Sequence, residues 1–115
     1  MNPLTRWLLM VLAAGALFGA DPTLKVGEAD ARKAATVKAT PEYPATAAQL
    51  RISGRAELEA IIAEDGSVED VRPVKGNPLL TKAGVAALKK WHFTPFQEDG
   101  RPARALVSIG FDFKL

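Results

Sequence analysis

Apolar and polar positions alternate from Arg55 to Ala63, with Ala56, Leu58, Ala60 and Ile62 set between Arg55, Glu57, Glu59 and Ile61. A period of two predicts a strand with one buried face. Glu64-Asp65-Gly66-Ser67 follows, and Asp-Gly between apolar runs predicts a hairpin. The return strand, Val68–Lys75, keeps its pattern loosely through Val68, Val71 and Val74, which predicts a bulge near Asp70. Pro73 suits only an edge or a bulged position, because it has no N–H to give to a ladder.

Beyond the hairpin the period lengthens. Asn77 is a natural N-cap and Pro78 fits the first helical position. Leu80, Ala83, Gly84, Ala87, Leu88 and Trp91 then recur at helical spacing as one apolar stripe, with Lys82, Lys89 and Lys90 outside it. Asp99-Gly100 turns the chain back. Arg104–Phe113 alternates again, with Ala105, Val107, Ile109, Phe111 and Phe113 on one face. Upstream, Pro41 and Pro44 hold the chain around Tyr43 extended. Ala45–Leu50 then makes a short helical turn that Ser53-Gly54 stops. The order short helix, strand, strand, helix, strand predicts an α+β fold. Its form is a small two-layer sandwich, a three-stranded antiparallel sheet covered by one main helix. A core this small gives modest stability, to which a dimer or a bound strand would add.

The N-terminal pattern is different. Fourteen of the first twenty residues are hydrophobic, and Arg6 is the only charged side chain before Asp21. One positive charge, an apolar core and small residues at its end predict a secretory signal. The competing reading is an uncleaved anchor, for which about twenty apolar residues are needed. Length favours cleavage, and either reading places the remainder outside the cytoplasm. Asp21–Thr40 reads as a linker. Glu28 and Arg32 at i,i+4 favour a helical turn or two, but the face they frame carries only alanine, so fraying is expected. The domain plan is therefore 1–20 leader or anchor, 21–40 linker, 41–115 folded unit.

Composition removes whole classes of chemistry. Cysteine is absent and histidine occurs once, so disulfides, thiolate nucleophiles and multi-histidine metal sites are excluded. Fifteen basic against thirteen acidic residues, interspersed, leave no basic footprint for nucleic acid. His92 is the lone imidazole base. Ser53, Ser67 and Ser108 lie in separate elements, which leaves no nucleophile–base pair. Glu57 and Glu59 read as a solvated strand face. No catalytic, metal or cofactor site is expected, and the chain reads as a non-enzyme. Binding remains, because an open sheet has edges that template another strand. Arg104–Phe113 has no proline to block it. It offers a free edge unless it is central or the linker folds back over it, and the pattern leaves these options open.

Together these residues resemble the C-terminal domain of TonB-type energy transducers. The likeness runs through Tyr43-Pro44, Gly54, Asp65-Gly66, Trp91-x-Phe93-x-Pro95, Gly100 and the final Val107-x-Ile109-x-Phe111-x-Phe113. The resemblance implies a periplasmic domain that binds outer-membrane transporters by adding a short transporter segment to its last strand. It assigns partner contact to Arg104, Leu106, Ser108, Gly110 and Asp112 on that strand, and to Pro41, Glu42, Tyr43 and Pro44. Trp91, Phe93 and Pro95 are implied as core framework. Full transducers add a membrane helix that engages a proton-driven motor and a long Pro-rich spacer. This chain shows neither the polar helix positions nor the spacer, so an exported stand-alone module is the first expectation and an anchored transducer the second.

Overall fold

The computed structural model describes residues 24–115. The leader or anchor expected over residues 1–20 lies outside them. Among the described residues no helix is long and apolar enough to cross a membrane.

The hairpin forms as its pattern demands. Strand β3, Gly54–Ile62, buries Ala56, Leu58, Ala60 and Ile62. Asp65 shapes the turn by accepting from the Ser67 N–H at 2.9 Å and from its hydroxyl at 2.6 Å. These two hydrogen bonds favour the ionised carboxyl and hold it below the usual aspartate range. Strand β4, Val68–Lys75, returns antiparallel. Ile61 faces Asp70 while Ile62 faces Val68, so Glu69 is the extra residue of the expected bulge. A second irregularity skips Val74, next to Pro73. Among the described residues strand β4 is an edge, bonded to β3 alone, and its proline, bulges and charges are the devices that discourage further pairing.

Helix α3, Pro78–Leu88, starts where Asn77 caps it, the side-chain oxygen accepting from the Leu79 N–H at 2.9 Å. It buries Leu80, Gly84, Ala87 and Leu88 against the sheet. A Cβ on Gly84 would lie 3.0 Å from Leu58 Cδ1 and 3.2 Å from Phe111 Cδ2, so the helix sits close to the strands. Trp91 and Phe93 close the layer, 4% and 0% exposed, with centroid distances of 5.7 Å from Trp91 to Phe111 and 5.9 Å to Phe93. Pro95, expected in the core, is exposed. The chain has left the apolar layer after Phe93 and is heading for the two-residue hairpin strands β6 (Gln97–Glu98) and β7 (Arg101–Pro102). Asp99 and Gly100 turn that hairpin with φ of 53° and 76°, as a tight primed turn requires. The last strand, β8 (Ala105–Phe113), pairs antiparallel with β3 along all nine residues.

Two expectations are corrected together. The main sheet has four strands in the order β1-β8-β3-β4, and its extra strand comes from the segment expected to fray. Strand β1 is Leu24–Val26, helix α1 is Glu28–Ala34, and strand β2 is Ala35–Val37, which pairs with β5, His92–Phe93. The alanine face of α1 looked too small to bury anything. Small size is what the site accepts, because Ala31 fits fully buried among the core residues. A seven-residue helix is marginal alone and is held here by tertiary contact. The short helix α2, Ala45–Gln49, forms where expected.

Candidate strand-accepting edge

Strand β8 has two edges, and alternation divides its backbone groups between them. The odd-numbered residues from Ala105 to Phe113 bury their side chains. The Arg104 carbonyl accepts from the Leu24 N–H at 3.3 Å, and the Gly110 carbonyl accepts from Arg32 Nη2. Both bonds lie on the side away from β3. The even-numbered residues Arg104, Leu106, Ser108, Gly110 and Asp112 therefore direct their backbone groups to one outer edge.

That edge is covered from within the chain. Strand β1 runs parallel to β8, with Leu24, Lys25 and Val26 opposite Ala105, Leu106 and Val107. Helix α1 covers the next stretch. Its Arg32 donates to Gly110 and to Glu28 (2.9 Å), and sets its guanidinium 5.6 Å from the Trp91 ring and 5.9 Å from that of Phe111. Glu28 also pairs with Arg55 of β3. Arg55 reaches Asp112 at 3.3 Å and Glu57 at 3.7 Å. Its guanidinium lies where a Cβ on Gly110 would stand, 2.2 Å from Nη2, so a larger residue at 110 would push Arg55 aside. The hydrogen bond to Asp112 holds the Arg55 guanidinium above its ordinary value, with the charges of Glu28, Asp112 and Glu57 adding to it. Glu28 thus ties both arginines into one clasp.

The other expected contact segment lies elsewhere. Pro41, Glu42, Tyr43 and Pro44 line a groove of about 710 Å³ against α3, with Ala83, Ala87, Lys82 and Lys90 on its far side. Tyr43 links this segment to the last strand. Its ring stacks edge-on at 5.6 Å against Phe113, and its hydroxyl donates to the Ile52 carbonyl. Through Phe113 the Pro41–Pro44 segment meets the C-terminal end of β8. Arg104 turns its guanidinium to Glu69 at 2.6 Å. Ser108 and Asp112 are exposed, Leu106 is half-buried and Gly110 is buried.

Leu24, Val26, Glu28, Arg32 and Arg55 are the residues that sequence reasoning did not assign to this edge. The Glu28–Arg32 spacing was visible, but it signalled only local helix support. Among the described residues no group of three or more His, Cys, Asp or Glu could hold a metal ion.

The comparisons agree with this fold. Residues 39–115 match the family model described as Gram-negative bacterial TonB protein C-terminal. TonB2 of Pseudomonas aeruginosa is 34% identical over 77 residues, which cover 65% of this chain and 28% of that protein. TonB of Salmonella typhimurium is 32% identical over 77 residues, covering 65% and 30%. A solution NMR structure of the Pseudomonas aeruginosa TonB C-terminal domain superposes with a TM-score of 0.56 at 29% identity, covering 70% of this chain and 84% of that one. The chain spans less than a third of the length of these curated relatives. By the match over residues 39–115, this chain belongs to the family of Gram-negative bacterial TonB protein C-terminal domains.

Proposed function

We propose that this chain is a non-enzymatic periplasmic module that binds an extended segment of an outer-membrane transporter by strand addition to β8. One observation carries the reading. The even-numbered residues of β8 present their backbone groups to a single outer edge, and among the described residues a three-residue strand, β1, pairs with it. Strand addition draws affinity from backbone hydrogen bonds and specificity from alternate side chains. Leu106, Ser108, Gly110 and Asp112 would supply the former. Pro41–Pro44 would extend the contact past Phe113 along the α3 groove.

Substitution at Ser108 tests this. Ser108→Pro removes a backbone donor from the outer edge, whereas Ser108→Ala keeps it. Losing one such hydrogen bond and obstructing its neighbours should weaken binding of transporter-derived peptides about tenfold or more. The alanine variant should bind as the parent does, with both variants folded by circular dichroism. A folded Ser108→Pro protein of parental affinity would move the docking site to the Pro41–Pro44 groove.

The second reading, a membrane-anchored energy transducer, is favoured by the relatives being TonB proteins. Mass spectrometry of the mature protein separates the two. We expect an N-terminus close to residue 21 in a protein released without detergent. A chain still starting at Met1 and extracted only by detergent establishes the anchor.

A further inference from the structure

We infer that β1 is a displaceable internal occupant of the β8 edge, and that its side-chain pattern defines the segment that replaces it. The inference rests on the strand-addition reading above and adds a ligand pattern and a controlling contact to it.

The pattern is apolar, polar, apolar. Leu24 and Val26 are half-buried and pack on the core, while Lys25 between them is exposed. They stand opposite Ala105 and Val107, both fully buried, so the edge carries two shallow apolar positions spaced two residues apart. An incoming strand is accepted when it places apolar side chains at those two positions, with a polar one between them.

The hold on β1 is shallow. Among the described residues it pairs through three, against nine in the β3–β8 ladder. The clasp beside it consists of ion pairs whose side chains are roughly a third exposed: Glu28 at 31%, Arg32 at 37% and Arg55 at 41%. Exposed pairs of this kind contribute little individually. What keeps β1 in place is connection, since a tethered strand competes at an effective concentration in the millimolar range. A free segment must outcompete it, and the apparent affinity falls by the fraction of molecules in which the edge is open. Glu28 makes two of these pairs, with Arg32 and with Arg55 across the strand, and so adds to that hold and lowers the fraction.

The test uses the full chain and a synthetic peptide of residues 22–27, Pro-Thr-Leu-Lys-Val-Gly, followed by the amide shifts of Leu106 and Ser108. Val26→Pro withdraws an apolar contact and an edge-facing donor from β1. It should raise peptide affinity about tenfold, as expected if the parent edge is open in about a tenth of molecules. A peptide with Leu and Lys exchanged, which sets its apolar residues side by side, should bind neither protein. Glu28→Ala lies outside the sheet and should raise affinity several-fold, so the inference is still tested if Val26→Pro fails to fold. Equal affinity in the parent and the folded variants, with shifts at Leu106 and Ser108, overturns β1 as a competitor and leaves the strand-accepting edge standing. No shift at either amide in any variant overturns the edge itself, and this inference with it.

Discussion

Trp91→Ala is expected to unfold most of the population at room temperature. Trp91 is 4% exposed, and truncating a buried aromatic costs about 3–5 kcal/mol. Here three further losses follow. The indole N–H donates to the Ala39 carbonyl at 2.8 Å, fastening the segment that follows β2. The ring stacks on Phe93 and Phe111, which belong to different strands. It is also one of the two faces against which Arg32 rests, so its removal loosens the clasp of α1. Small domains have only about 5–15 kcal/mol in total, and this core lies toward the lower end. Thermal melting followed by circular dichroism checks the expectation. Parental melting in Trp91→Ala would show that the helix stripe does not end on the sheet as described.

Gly66→Ala should be nearly as damaging, although it adds a single methyl. Gly66 has φ of +90°, and an added Cβ would lie 1.9 Å from the Phe93 carbonyl oxygen and 3.0 Å from its carbon. Those are backbone atoms, which no rotamer change can move aside. The Gly66 carbonyl also accepts from the Phe93 N–H at 2.9 Å, so the hairpin turn is bonded to β5 at the point of the clash. Relief requires parting the turn from a strand whose Phe93 is fully buried. Strain of roughly 1–3 kcal/mol for the backbone conformation, plus about 1 kcal/mol for the lost hydrogen bond, puts the cost near 3 kcal/mol or above. Gly100→Ala is the control. Its φ is +76°, but nothing lies within 4 Å of the added carbon, so only conformational strain of about 1–2 kcal/mol applies. Urea midpoints compare the two directly. Equal shifts would mean that the turn is not packed on β5.

On the proposed strand-addition reading, the arrangement at β8 couples stability to edge access. Arg32 and Glu28 hold the upstream segment in place and in doing so cover the Gly110 end of the edge that would accept a partner. A variant that loosens this clasp should therefore trade some stability for accessible edge. The nine-residue pairing of β8 with β3 is untouched by that exchange, so the sheet persists while its outer edge opens.

Much of this architecture was legible in the amino-acid sequence. The alternation in Arg55–Ala63 and Arg104–Phe113, the Asp65-Gly66 turn, the bulge beside Asp70 and the capped helix at Asn77 all follow from local physics. Period, backbone conformation and capping are read within a few residues of where they act. The family resemblance was carried by the same residues, because a ladder, a tight turn and an aromatic hinge constrain local sequence strongly.

Only the tertiary structure decided what lies beside what. Alternation tells which side chains of β8 face the core, but its backbone donors are the same on both edges, whichever strand they meet. Leu24-Lys25-Val26 is too short to display a period, and the alanine face of α1 acquires value only because the sheet leaves a shallow place for it. Pro95 carried a framework signature and still lies exposed, since its position depends on where the chain leaves the layer after Phe93. The clasp of Glu28, Arg32 and Arg55 joins residues up to 27 apart in sequence, with the Arg55 guanidinium lying in the space that a Cβ at residue 110 would take. The sequence alone determined the elements and their buried faces. Their neighbours, and hence the cover on the outer edge of β8, arise from long-range packing that no local period records.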